Sequence, residues 1–401
     1  MSNLLDIIVL ILSCLLILCL VIIFIEILLR MVFILKEKFL HDKVERKNFI
    51  DKEYHTYLNW IENLDKPMFK YLPIGLRLFN DENKLLENSV KNNSLGFRTH
   101  EFSEKKEEEL RVILLGGSSA WGCGSSSNQT NISGHLEKII NNNKKLLNGK
   151  THSRVFNLSQ LIGTQTQDIL SLIFHAKELN PDIVVTFIGW NELITSYSMN
   201  ENFLKKYKVF YLKEMENWQP PQLPKIKKKI IRQFMGEWIL NNFKVLKFFF
   251  KKKVNDNFDI TDKILKNLKL NSSIVARNFH IIESISKGFK FKTIHFLQPN
   301  IFRKSLLSDS EAKILELYEK YRPIHGGKKF SNFLKHTNIY DSVCHEVANT
   351  SLKVINLLDI FDKEKRTIFF TLVHLNDLGY KLIAEEIYKN LLINNHHNAK
   401  N

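Results

Sequence analysis

Serine, asparagine and histidine side chains at three places in the chain could together carry out nucleophilic chemistry. Ser118 and Ser119 follow the apolar run 112–115, Asn191 follows a second apolar run, and His374 precedes an amphipathic segment. A serine hydroxyl becomes a useful nucleophile when a neighbouring imidazole takes its proton, and fixed N–H donors stabilise negative charge on a carbonyl oxygen. The same residue types also make ordinary turns, because serine and asparagine bond their own backbone. The surrounding elements must decide between these two interpretations.

Apolar runs and amphipathic segments alternate along most of the chain, which predicts a parallel sheet covered by helices. Helices are expected over 375–392, after Ser133, and through Ile169 and Leu172, where apolar residues recur at helical spacing. The expected strands are residues 112–115, 154–157, 182–188, 291–297 and 353–358. Ligand sites in open sheets of this kind form at the carboxyl ends of the strands. The serines and the asparagine are therefore expected at the same edge of the sheet.

Four stretches, taken in order, resemble the sequence blocks of the SGNH (GDSL) hydrolase family. They read GGSSAWG, NLSQLIGTQTQ, PDIVVTFIGWNEL and HLNDLGYKLIAEEI, and each lies where a strand ends or a helix begins. The resemblance covers residues 92–200 and 285–392. It implies a three-layer α/β fold with a central parallel sheet, and hydrolysis of an ester through an acyl-enzyme on serine. It implies neither a metal nor another cofactor.

The resemblance also implies roles for four residues of this chain. Ser118 matches the nucleophile of the family's Gly-Asp-Ser block, with Gly117 in the place of the aspartate. His374 matches the general base. Gly163 and Asn191 match the residues that form the oxyanion hole with the Ser118 backbone N–H, and the match at Gly163 requires a one-residue insertion.

The position of the family's third catalytic residue is the main departure. The family carries an aspartate three residues before the histidine, and Thr371 stands there in this chain. Thr371 could accept the Nδ1–H of His374 and leave a Ser–His dyad, or another carboxylate could take over the role. In a third alternative the site is impaired and the domain binds without catalysis. The carboxylates considered for the substitution are those of Asp359, Asp362 and Asp377.

The N-terminal segment predicts a membrane anchor. Residues 4–35 are long and apolar enough to form a single uncleaved transmembrane helix. The basic residues that follow this helix favour a cytoplasmic location for the rest of the chain. The predicted organisation is an anchor over 1–40, a connector over 41–105, an SGNH-like core over 106–199 and 285–395, and an inserted segment over 200–284. The inserted segment mixes basic and aromatic residues, which fits a helical cap or a contact with lipid.

Composition narrows the choice of partners. The formal net charge is +16 over 401 residues, but lysine, asparagine, isoleucine and phenylalanine are abundant throughout. We therefore expect a general compositional bias and no nucleic-acid partner. The four cysteines match no zinc or disulfide pattern. The expected function is a membrane-anchored serine ester hydrolase that acts on a lipid or an acylated glycan. The alternatives are an O-acyltransferase on a glycan and a catalytically impaired binding module.

Overall fold

The computed structural model describes residues 90–161, 163–193, 260–321 and 327–398, two short strands at 69–71 and 77–79, and scattered helical positions between 9 and 27. Most of the predicted membrane segment 4–35 and most of the predicted insertion lie outside the described residues. Within the described part of the chain, no helix is both long enough and apolar enough to cross a membrane.

A five-stranded parallel sheet forms the centre of the unit that spans residues 49–217 and 259–401. Its strands are β3 (Glu109–Gly116), β4 (His152–Asn157), β5 (Ile183–Ile188), β6 (Lys292–Leu297) and β7 (Val354–Asn356). Their order across the sheet is β4-β3-β5-β6-β7, and every neighbouring pair is parallel. The predicted α/β fold with a central parallel sheet is confirmed. Strands β1 (Phe69–Tyr71) and β2 (Arg77–Phe79) form a separate antiparallel pair.

Helices cover this sheet because its central strands are apolar on both faces. The helices are α1 (Ser118–Trp121), α2 (Ile132–Asn143), α3 (Gln165–Leu179), α4 (Ile260–Phe289), α5 (Asp309–Tyr321), α6 (Gly327–His336), α7 (Asp341–Val347) and α8 (Asp377–Asn398). In β3, Val112 and Leu114 pack in one apolar cluster with residues of α2 and α8. Ile113 and Leu115 pack in a second cluster with residues of α3. The alternation follows from the two-residue period of a strand.

Three boundaries differ from those that the sequence suggests. Helix α2 is capped by Asn131, whose side chain accepts the Gly134 N–H at 2.8 Å, while the expected cap Ser133 lies inside the helix. The predicted insertion boundary at 284/285 falls within α4, which runs on to Phe289 without a break. Residues such as Phe279 of this helix are fully buried, so the helix is part of the core. Helix α8 begins three residues after His374, which leaves the histidine in a loop.

The order of the strands places a crevice between β3 and β5. The chain passes from β3 to β4 on one side and then returns to β5 on the other side of β3. The loops that leave two such strands diverge, and ligands in doubly wound sheets bind in the crevice between them. The segment with Ser118 leaves β3, and the segment with Asn191 leaves β5. The fold therefore brings these two side chains to one place.

Candidate active site

The end of β3 fixes the position of Ser118. Gly116 has a φ of 151°, and a Cβ there would lie 2.2 Å from the carbonyl oxygen of Phe187 on the neighbouring strand. Glycine is thus required for the close approach of β3 and β5 at this point. Ser118 is the first residue of α1, where the Trp121 N–H donates to the Gly117 carbonyl at 2.9 Å. The sharp turn from strand to helix presents the serine at the edge of the sheet.

His374 lies beside this serine although 256 positions separate the two residues in sequence. Its Nε2 is 2.7 Å from the Ser118 Oγ, a short hydrogen-bond distance. The histidine loop is closed by a bridge between Phe369 and Leu375, and the Phe370 N–H donates to the His374 carbonyl at 3.2 Å. The Phe370 ring also stacks on the imidazole, with 5.8 Å between the ring centres. The pair has the geometry of a nucleophile and its general base.

Thr371 occupies the other side of the imidazole. Its Oγ1 lies 2.9 Å from Nδ1 of His374 and accepts the backbone N–H of the same histidine at 3.0 Å. A base at Nε2 requires the proton on Nδ1, and in that tautomer the threonine oxygen is the acceptor. The three carboxylates considered as substitutes bond elsewhere: Asp359 to Arg303, Asp362 to Ser305 and Asp377 to Ser126. In this structure the side-chain group next to Nδ1 of His374 is thus the neutral hydroxyl of Thr371.

The environment of His374 disfavours its charged form. Burial lowers the pKa of the imidazole from 6.5 to about 4, and no carboxylate offsets this effect. Desolvation acts against the ion because the low-dielectric interior replaces water around it. The histidine is consequently neutral at pH 7, with a free Nε2 lone pair, but it is a weaker base than an exposed imidazole. An imidazolium formed at this position would lack the stabilising charge of a Ser–His–Asp triad.

Asn191 provides a side-chain donor at the candidate oxyanion hole. Its Nδ2 donates to the Gly163 carbonyl at 2.7 Å. An amide nitrogen carries two hydrogens, so this bond orients the group and uses one of them. A Cβ on Gly117 would lie 2.4 Å from the Asn191 Nδ2, so glycine at this position leaves room for the amide. Asn191 thus lies next to the residue that precedes the nucleophile.

Gly163 is brought to the site, but its backbone N–H is already used. This N–H donates to the Gln160 carbonyl at 3.0 Å and closes a turn before α3. The donor role implied by the family resemblance is therefore not seen at Gly163, whose carbonyl holds Asn191 instead. The Ser118 N–H lies in the first turn of α1, where a helix offers it no acceptor. The Ser118 N–H and the Asn191 amide are the donors that this geometry offers to an oxyanion.

A buried carboxylate connects the two loops that carry Gly163 and Asn191, and the sequence reasoning missed it. Glu192 accepts the Gln165 and Gly189 backbone N–H groups, each at 2.9 Å. Burial raises the pKa of its carboxyl group. The signal in the sequence was a charged residue directly after Asn191, at the end of an apolar strand. A buried carboxyl group needs such hydrogen bonds, so its presence there indicates a structural role.

The described residues contain no cluster of three histidine, cysteine or acidic side chains that could hold a metal ion.

Comparisons with known proteins give similarity at the level of structure alone. No protein-family model matches the chain, and no curated protein matches it. Among solved structures, an acetyl xylan esterase matches with 12% identity and a TM-score of 0.31, over 70% of this chain and 99% of that one. A lipase/acylhydrolase from Enterococcus faecalis matches with 14% identity and a TM-score of 0.34, over 71% and 95%. A lipolytic G-D-S-L family protein from Veillonella parvula matches with 12% identity and a TM-score of 0.34, over 70% and 97%. Similarity at this level assigns neither a family nor an activity to the chain.

Proposed function

We propose that this protein is a serine ester hydrolase that works through an acyl-enzyme on Ser118. The observation that carries the proposal is the 2.7 Å contact between Ser118 Oγ and His374 Nε2, with Thr371 Oγ1 2.9 Å from Nδ1. A nucleophile, a base and a group that orients the base are thus aligned at the carboxyl edge of the sheet. This alignment is the geometric requirement for activating a serine.

The reaction proceeds in two halves. The Ser118 Oγ attacks the ester carbonyl carbon while its proton passes to Nε2 of His374, and the new oxyanion accepts hydrogen bonds from the Ser118 N–H and the Asn191 amide. The C–O bond to the alcohol then breaks, and the alcohol leaves with the proton from Nε2. Water repeats the sequence on the acyl-enzyme, giving the carboxylic acid and restoring Ser118. Fixed donors at the oxyanion are worth about 3–4 kcal/mol each in comparable sites.

The substrate that we propose is a lipid or an acylated glycan at a membrane, with residues 4–35 as the anchor. In the described N-terminal positions, apolar residues such as Leu10, Leu16 and Phe24 are helical and between 63% and 64% exposed. Apolar helical residues with this exposure need a covering partner, and a bilayer is one. The basic residues after the anchor support a cytoplasmic location for the catalytic unit.

Carbonate extraction tests the anchor. The full-length protein should remain in the membrane pellet, whereas a variant without residues 1–40 should move to the supernatant. Release of the full-length protein by carbonate would contradict anchoring without affecting the proposal of ester hydrolysis.

Active-site labelling tests the hydrolase. Full-length protein in detergent should react with a fluorophosphonate at Ser118 and hydrolyse p-nitrophenyl acetate. Ser118→Ala and His374→Ala should each lose this turnover. Ser125→Ala is the matched control, because Ser125 is also buried and its Oγ donates to the Gly122 carbonyl at 2.8 Å, away from the histidine. Absence of labelling, together with equal background rates for wild type and Ser118→Ala, would leave a binding module.

A further inference from the structure

We propose that Ser119 is a positioning residue that fixes His374 relative to the nucleophile. The inference rests on the proposed function and concerns a side chain that does not contact the reacting atoms. Ser119 follows Ser118 directly, and it is the obvious rival for the role of nucleophile in the sequence.

The Ser119 side chain points away from the crevice. Its Oγ donates to the Val373 carbonyl at 3.0 Å, and the residue is only 2% exposed. A hydroxyl has one hydrogen, and here that hydrogen is used in a buried bond. The bond joins the residue directly after the nucleophile to the residue directly before the base. It therefore connects α1 to the histidine loop at the point where the distance between the catalytic pair is set.

The hydrogen bond between Ser119 and Val373 is itself connected to the sheet through Gln298. Gln298, which follows β6, approaches the Ser119 Oγ through its Nε2 at 3.4 Å. The Gln298 backbone N–H donates to the Ile188 carbonyl at 2.8 Å, and its carbonyl accepts the Tyr340 hydroxyl at 3.1 Å. These groups are buried, so each bond that is lost leaves a polar atom without water to replace its partner.

Other contacts shape the histidine loop without replacing this bond. The Leu372 carbonyl accepts the Ile301 N–H at 2.9 Å, and Asp377 accepts the Ser126 N–H at 2.8 Å. Both contacts hold the loop to segments other than α1. Loss of the Ser119 bond should thus leave the loop folded but allow the imidazole to shift from Ser118. A displacement of about 1 Å is enough to lower a rate by up to about 100-fold.

The test is a double-mutant cycle on the full-length protein. Ser119→Ala should lower kcat for p-nitrophenyl acetate about tenfold with little change in KM, and should slow fluorophosphonate labelling of Ser118 to the same extent. In the His374→Ala background, where turnover is already lost, the same change should have almost no further effect on the residual rate of fluorophosphonate labelling, because there is no imidazole left to position. A general loss of structure would instead lower the residual labelling in both backgrounds.

Ser125→Ala is again the matched control, since it removes a buried serine hydroxyl from the same region whose hydrogen bonds go to the Gly122 and Ser127 carbonyls and not to the histidine loop. If Ser119→Ala folds poorly, Ser119→Cys replaces it in the experiment. Cysteine retains approximately the size of the side chain but is a weaker donor, so kcat should lie between those of wild type and a variant without the bond. Two results would overturn the proposal. One is an equal decrease in kcat in Ser119→Ala and Ser125→Ala, and the other is a full tenfold decrease in the labelling rate when Ser119→Ala is added to His374→Ala. A fluorophosphonate adduct on Ser119 would also overturn it. The hydrolase proposal fails separately if Ser118→Ala turns over the ester as fast as the wild type.

Discussion

Replacing Thr371 by aspartate tests whether the missing carboxylate limits this site. Thr371 already lies 2.9 Å from Nδ1 of His374, and its oxygen accepts the His374 backbone N–H. Aspartate can keep both contacts, because its carboxylate also bonds backbone N–H groups a few residues later. The substitution therefore adds a negative charge beside the imidazole with little change in the loop.

The magnitude follows from the pKa of His374. Burial lowers this pKa from 6.5 to about 4, which makes the imidazolium about 3 kcal/mol less stable than in water at about 1.4 kcal/mol per pKa unit. A carboxylate in contact raises such a pKa by roughly 1–3 units. Because the imidazolium forms in the transition state, Thr371→Asp should raise kcat/KM by about 10- to 1000-fold, which lies below the roughly 10⁴-fold loss when other triads lose their acid.

The pH dependence of kcat/KM provides a second, independent test. His374 must be neutral to act as a base, so wild-type kcat/KM should fall only as the pH drops through about 4. In Thr371→Asp the raised pKa should move this acid limb to higher pH, so the variant is faster at pH 8 but loses activity earlier on acidification. Thr371→Asn is the uncharged control and should show neither change. A folded Thr371→Asp variant with wild-type rate and an unmoved acid limb would refute the reasoning.

Three further changes test the surroundings of the site. Gly117→Ala should lower kcat at least tenfold with little change in Tm, because its Cβ would lie 2.4 Å from the Asn191 amide; Gly288→Ala, which meets nothing within 4 Å, is the control. Glu192→Gln should lower the free energy of unfolding in urea by about 1–3 kcal/mol, since one of its two backbone N–H partners loses its acceptor; an unchanged unfolding midpoint would contradict this role. Burial lowers the pKa of His295 from 6.5 to about 3, so the unfolded chain binds a proton that the folded one does not, and stability should fall by up to about 1.4 kcal/mol per pH unit as the pH drops below 6.5. His295→Gln should flatten that slope, and parallel urea-unfolding curves for the two proteins between pH 7 and 5 would contradict the assignment.

The sequence by itself determined that the fold contains a parallel sheet and which segments form its strands. The runs 112–115 and 183–188 have no polar side chain on either face except Thr186, which is typical of strands covered on both sides. The same local reasoning located Ser118, Asn191 and His374 at the ends of elements. Element boundaries were less well determined, because capping and burial depend on groups distant in sequence, as at Asn131 and in α4.

Only the tertiary structure decided which of these residues come into contact. The sequence left open whether Thr371 or one of three aspartates faces His374, and the fold answers this by directing each aspartate to a partner elsewhere. It also gives the two adjacent serines different partners, since Ser118 contacts the imidazole and Ser119 bonds the Val373 carbonyl. Spacing along the chain cannot reveal such pairings, because the partners of the two serines lie more than 250 positions away and those of the aspartates at least 56. Their distances are set by the packing of α1 and the histidine loop against the sheet.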